Sequence, residues 1–136
     1  MTHLRINEAA ALLGVSDDTV RRWIDSGKLR ATDEQGKKAV AGEDLAALVK
    51  DLADDSLDSL DSGVGVRSAR NHLTGIVTRV VSDRVMSQVE MQCGRYRIVS
   101  LISTEAVEEL GLKAGSVATA VIKATNVTIE GRTARA

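Results

Sequence analysis

Two short stretches carry the side chains best suited to binding a small ion. Ser68, Arg70 and Asn71 place a hydroxyl, a guanidinium and an amide within four residues, with the small Ala69 among them. Lys123, Ala124 and Thr125 follow the apolar run Ala120-Val121-Ile122 and add an ammonium, a small residue and a hydroxyl. Neither stretch contains a carboxylate. Donors without acceptors suit a fully deprotonated tetrahedral oxyanion, whose oxygens only accept hydrogen bonds. Taken singly, each donor has a plainer reading. A strand lysine extends its head to water, Arg70 has Glu90 as an available partner, and Ser68 suits a turn.

Other chemistry is thin. His3 and His72 lie far apart, and with Cys93 they make no metal-ligand spacing. No phosphate-binding loop, dinucleotide fingerprint or Ser/His/Asp signature occurs. Cys93 reads as a small packing residue. These features give no expectation of an enzyme, a metal or an organic cofactor.

Composition sets the frame. The 136 residues suffice for one ordinary domain or two small ones. The 43% hydrophobic content supports a packed core rather than disorder. Trp23 and Tyr96 are the aromatics, so the core is aliphatic and stacking platforms for single-stranded nucleic acid are excluded. The lone Cys93 allows no intrachain disulfide, and no signal peptide or long apolar span is apparent, so a cytoplasmic protein without membrane contact is expected. The net charge of −1 conceals an asymmetry. Residues 1–53 carry 8 − 9 = −1, residues 54–63 carry −4, and residues 64–136 carry 10 − 6 = +4. The basic portion is the one bearing the oxyanion-like motif.

The elements that must position these residues follow in chain order. Asn7 reads as a cap before an apolar helical run that Gly14 stops. Ser16 caps a second helix, with Asp17 and Asp18 in its first turn and Val20, Trp23 and Ile24 on its buried face. Gly27 ends it. Leu29–Thr32 and Lys38–Val40 flank the polar turn Asp33-Glu34-Gln35-Gly36, predicting a short hairpin. Glu43–Leu52 gives a last helix.

Helix, helix, hairpin, helix resembles the excisionase/MerR-like winged helix-turn-helix family. The motifs carrying the resemblance are Asn7-Glu8-Ala9-Ala10, Gly14-Val15-Ser16, Thr19-Val20-Arg21-Arg22-Trp23-Ile24 and Gly27-Lys28-Leu29. It implies DNA as a partner, with Thr19, Arg21 and Arg22 facing the duplex from the second helix. Lys28, Arg30, Lys37 and Lys38 would lie on flanking phosphates. Asp17 and Asp18 depart from what a phosphate-facing surface wants, so binding should need several copies on one site. A protein-interaction module is the alternative.

Residues 54–65, rich in Asp, Ser and Gly, read as a flexible acidic linker. Beyond it the periodicity changes to strands. Ile76–Val81, Val85–Met91 and Tyr96–Ile102 come first, then a helix over Thr104–Leu110 capped by Ser103 and stopped by Gly111. A β-branched strand covers Ser116–Lys123, and Asn126–Ile129 continues it or adds another. Five or so short strands with one helix predict a small OB-like β-barrel.

Ser68-Ala69-Arg70-Asn71, Leu110-Gly111-Leu112-Lys113-Ala114-Gly115 and Ile122-Lys123-Ala124-Thr125 together resemble the molybdate-binding Mop (TOBE) domain, over roughly Val66–Glu130. The resemblance implies molybdate or tungstate as ligand, bound between subunits of a homo-oligomer, with a hexamer favoured over a dimer. One chain would give Ser68, Arg70, Lys123 and Ala124, with Asn71 and Thr125 beside them. A neighbour would give Ser100, Ser103 and Thr104. Ala124 stands where some relatives have Ser, which removes a hydroxyl but keeps the backbone N–H. Phosphate keeps a proton near neutrality and wants an acceptor, so an acceptor-free donor set favours molybdate, tungstate or sulfate.

The sequence therefore predicts a two-domain α+β chain. Its parts are a winged helix-turn-helix over 1–53, the linker 54–65, an OB-like Mop/TOBE domain over 66–131 and a tail over 132–136. A molybdate-responsive transcriptional regulator is expected. The alternative is a molybdate store resembling the molbindins, whose helical domain serves assembly. A molybdopterin carrier fits less well, because the site lacks the surface for a large aromatic ligand.

Overall fold

The computed structural model describes residues 3–52, 60 and 68–132. The chain divides into two compact units, Met1–Asp54 and Asp55–Ala136. The linker expected at 54–65 lies outside the described residues apart from Leu60, and so does the tail beyond Arg132. No helix among the described residues is long and apolar enough to cross a membrane.

Unit 1 runs β1 (His3–Arg5), α1 (Ile6–Leu13), α2 (Asp17–Asp25), β2 (Ala31–Glu34), β3 (Lys37–Ala41) and α3 (Gly42–Leu52). The sheet order is β1-β3-β2, all antiparallel. Strand β1 was not expected; it pairs Leu4 with Val40, a partner far along the chain. It also displaces the expected helix start. Chain leaving β1 enters α1 directly, with Arg5 in the N-cap position and its N–H donating to the Glu8 carboxylate at 3.1 Å. Asn7 is thus inside the helix rather than its cap. Ser16 caps α2 as predicted, accepting the Thr19 N–H at 3.1 Å.

The hairpin is tighter than the sequence suggests. Its loop is Gln35-Gly36 alone, both with positive φ (53° and 78°), so β2 extends to Glu34 and β3 begins at Lys37. Two left-handed residues match the twist of the flanking strands, which a longer polar turn would not do. Ala9, Ala10, Val20, Leu29, Val40 and Leu45 form the core, with Trp23 and Ile24 packed against it.

Unit 2 contains β4 (Asn71–Ser82), β5 (Met86–Cys93), β6 (Tyr96–Ser103), α4 (Thr104–Leu110) and β7 (Val117–Ile122), then a 3₁₀ turn at Ala124–Asn126. The antiparallel order is β6-β5-β4-β7. It forms an OB-like half-barrel that, among the described strands, keeps β6 and β7 as edges. The strand expected around Val127–Ile129 does not form: the backbone is irregular there and Ile129 is 87% exposed. β-branched residues favour a strand only where a neighbour supplies partners. Val77, Val89, Met91, Cys93 and Val107 build the core, and α4 contributes its Val107.

Two features fix the register of β4. A bulge falls between Val77 and Arg79 against β5, and Gly75 lies where a Cβ would sit 2.3 Å from the Gln92 carbonyl oxygen and 2.8 Å from the Cys93 sulfur. The glycine is required for close approach of backbones, not for an unusual φ.

Candidate oxyanion and nucleic-acid sites

The β4–β7 ladder brings two of the predicted segments together. Asn71 is opposite Ile122 in register, and its side-chain amide donates to the Ile122 carbonyl at 3.1 Å. Ala69 and Arg70 lead into β4 from there, and Lys123 and Ala124 lead out of β7. One of the two N–H donors of the Asn71 amide thus joins the strands. Arg70 and Lys123 are exposed and make no side-chain hydrogen bond or ion pair among the described residues. Glu90, the available partner for Arg70, is instead taken by Arg97 at 2.6 Å. That contact, with desolvation opposing it, holds the Glu90 carboxyl below the usual range. A 3₁₀ turn opens at Ala124, and the first N–H groups of such a turn have no partner inside it. Ser68 and Thr125 are exposed at the same end of the ladder.

Ser100, Ser103 and Thr104 lie elsewhere. Ser100 pairs with Val89, which pairs with Val80 of β4. From Asn71 to Val80 is nine steps along the strand, or roughly 30 Å. The two groups are thus set apart along the ladder. Alternation along β6 also sends Ser100 and Ser103 to opposite faces of the strand.

Thr104 has a structural task that the sequence did not reveal. Its hydroxyl donates to the Asp83 carbonyl at 2.8 Å and is 2.8 Å from the buried Ser87 hydroxyl, itself 2.6 Å from that of Ser82. Because the carbonyl only accepts, the Thr104 proton is fixed, and Ser87 must donate to Thr104. The Thr104 N–H goes to Val85 at 2.8 Å. As placed, the Thr104 hydroxyl proton is committed to the Asp83 carbonyl. Ser103 accepts the Ala106 N–H at 3.0 Å and keeps its own proton. Two backbone N–H groups, Met86 and Val85, hold the Asp83 carboxyl below its ordinary range. Burial pushes the Cys93 thiol up, consistent with a packing role.

In unit 1 the seven predicted nucleic-acid residues divide. Arg21, Lys37 and Lys38 line a cleft of about 560 Å³ together with Arg5, Ile6, Asn7 and Asp17. Lys28 and Arg30 line a separate depression with Asp44 and Asp51, where Arg30 approaches Asp44 at 3.5 Å. Arg22 donates to the Thr19 hydroxyl at 3.1 Å, and Arg21 reaches Asp18 at 3.4 Å. Arg5 and Asn7 were not anticipated. Arg5 arrives through β1, whose pairing is non-local, and Asn7 lies in the first turn of α1 rather than at its cap.

Sequence comparison agrees with this division. The Helix-turn-helix domain family matches residues 4–52, and the TOBE domain family matches residues 67–129. Molybdenum-pterin-binding protein 1 of Clostridium pasteurianum is 44% identical over 63 residues, covering 46% of this chain and 93% of that protein. Among solved structures, MopII from Clostridium pasteurianum is 42% identical with a TM-score of 0.45, over 48% of this chain and all of MopII. The cytoplasmic molybdate-binding protein ModG, with molybdate bound, is 46% identical with a TM-score of 0.46, over 49% of this chain and 48% of ModG. The two family matches define a helix-turn-helix domain followed by a TOBE domain. The chain belongs to the TOBE-domain family that includes the molybdenum-pterin-binding proteins.

Proposed function

We propose that this protein is a molybdate- or tungstate-responsive DNA-binding regulator, with the oxyanion held between TOBE domains of a homo-oligomer. The observation that carries the reading is the meeting of Arg70 and Lys123 at one end of the β4–β7 ladder, with Ser100 and Ser103 at the far end of the same unit. Arg70, Lys123, Ser68 and the N–H groups of Ala124 and Thr125 form one half of the donor set; Ser100 or Ser103 of another copy completes it. Thr104 positions its half and does not donate. A metal oxyanion with four acceptor oxygens fits donors alone, and a relative named for binding molybdenum-pterin supports molybdenum as the element. In this reading the domains span 1–53 and 66–131, and the preferred assembly is a hexamer in the cytoplasm.

The helix-turn-helix domain supports DNA as second partner. A regulator requires that ligand and DNA, on different domains of one assembly, alter each other's affinity, and linkage makes the factor the same in both directions. Typical couplings are about 1–3 kcal/mol. The test is titration of the native upstream DNA with and without molybdate. Arg21→Ala with Arg22→Ala should abolish the DNA complex and spare molybdate binding. A complex indifferent to molybdate removes the regulatory coupling.

Molybdate storage is the second reading. Asp17 and Asp18 favour it, because they place negative charge in the first turn of the DNA-facing helix. Absence of any DNA complex, with several anions bound per oligomer, would establish it over the first.

A further inference from the structure

We infer that His72 is a positioning residue of the oxyanion half-site: its Nε2–H ties down the Ala69 carbonyl and so fixes the peptide from which Arg70 projects. The inference rests on the oxyanion reading above and adds to it a residue outside both donor stretches.

The contact is short and its polarity is determined. His72 Nε2 stands 2.9 Å from the Ala69 carbonyl oxygen. A carbonyl oxygen only accepts, so Nε2 must carry the proton. The two residues are three positions apart, and the bond closes a small loop over Arg70 and Asn71. A trans peptide is planar, and no described peptide bond is cis. Holding the Ala69 carbonyl therefore also holds the Arg70 N–H, which lies in the same plane and points the opposite way.

Arg70 is bracketed on its other side as well. The Asn71 amide donates to the Ile122 carbonyl at 3.1 Å. Ala69 is buried, between the exposed Ser68 and Arg70. A buried methyl, a held carbonyl and a joined amide thus surround Arg70, and none of them uses its guanidinium. Backbone fixed before the anion arrives lowers the ordering cost of binding it.

His72 is placed to couple the two donor stretches. It is opposite Val121 in register, on the strand that leads to Lys123 two positions later. One residue is therefore aligned with the Lys123 strand while its side chain holds the Arg70 segment. The ladder itself runs on to the Ile76–Val117 pair. Loss of the imidazole should loosen the segment before β4 and leave the sheet folded.

The test uses the full-length protein and sodium molybdate. Affinity is measured by calorimetry, and the ligand-free protein is also exposed briefly to trypsin, with cleavage after Arg70 followed by mass spectrometry. His72→Phe and His72→Ala both lack the N–H. Each should weaken molybdate binding about two- to tenfold, the range for loss of one hydrogen bond, and speed the cut after Arg70. His72→Gln keeps an N–H at a similar reach and should restore both. Wild-type affinity in His72→Phe and His72→Ala would overturn the tether and spare the oxyanion reading. Weakened affinity with an unaltered cut would make His72 a direct contact of the anion and overturn its positioning role. Failure of His72→Gln to restore either readout would also overturn it, since the ring rather than the N–H would then matter. No molybdate bound by the wild type would overturn the oxyanion reading and the inference together.

Discussion

The Asn71 amide donates to the Ile122 carbonyl at 3.1 Å, and this one contact sets the entry to β4 against the exit from β7. Segments separated by fifty-one positions are thereby joined where Arg70 and Lys123 project. The second N–H of the Asn71 amide remains a proposed donor to the anion.

Arg70→Ala and Lys123→Ala should each remove the stabilisation that molybdate gives. Wild-type protein at a free ligand concentration of about 100 times the dissociation constant should gain roughly 2.7 kcal/mol. Both side chains are exposed, so the ligand-free variants should melt with the wild type. Thermal melts with molybdate, tungstate and sulfate make the comparison. A full shift retained in both variants would move the site elsewhere.

Thr104→Val should destabilise the chain by about 1–3 kcal/mol, because it strips the Asp83 carbonyl of its donor and the Ser87 hydroxyl of its acceptor. Thr104→Ser should recover most of that. Urea unfolding of the three proteins decides it. Equal stability of Thr104→Val and wild type would refute the hydroxyl chain as a structural device.

At Gly75 an alanine methyl would meet the Gln92 carbonyl oxygen at 2.3 Å and the Cys93 sulfur at 2.8 Å. The neighbour is backbone in a ladder and cannot swing aside. Gly75→Ala should cost about 1–3 kcal/mol or more, as overpacking does. Gly131→Ala has nothing within 4 Å of its added carbon and serves as the control in the same unfolding assay.

Acid should weaken unit 2 through Asp83 and Glu90. Backbone N–H groups at Met86 and Val85 lower the first, and the Arg97 hydrogen bond lowers the second. A carboxyl with a depressed folded pKa contributes stability above its unfolded value, near 4. That contribution fades as pH falls through the folded value. Stability should therefore drop across the acid range, and Asp83→Ala should flatten the drop while lowering the plateau at neutral pH. Chemical unfolding from neutral pH down to well below about 4 reads the slope. An identical pH profile in the variant would contradict the assignment.

Local signals were legible in the sequence, and distant ones were not. Ser16 as a cap and Gly14, Gly27 and Gly111 as stops depend on residues within a turn of themselves, and each falls where the sequence placed it. Strand β1 depends on Val40, and the fate of the Thr104 proton depends on Asp83, twenty-one positions away. Nothing in the neighbourhood of Leu4 or Thr104 encodes those partners. The strand expected near Ile129 failed for the converse reason: its composition is right, but no partner strand lies beside it among the described residues. Motifs placed Arg70 and Lys123 in one donor group, and the ladder supplies the register that joins them.

The edge position of β6 has a further consequence. It hydrogen-bonds to β5 on one side, and its Val99 and Leu101 are exposed. Such a strand is a template for unwanted pairing with another chain. Arg95 and Arg97 at its start serve as gatekeepers, but Arg97 is already engaged with Glu90. Aggregation on dilution or during synthesis should therefore begin from the Val99–Leu101 end of β6. Adding a charge there would improve solubility in isolated chains at the expense of whatever surface covers it.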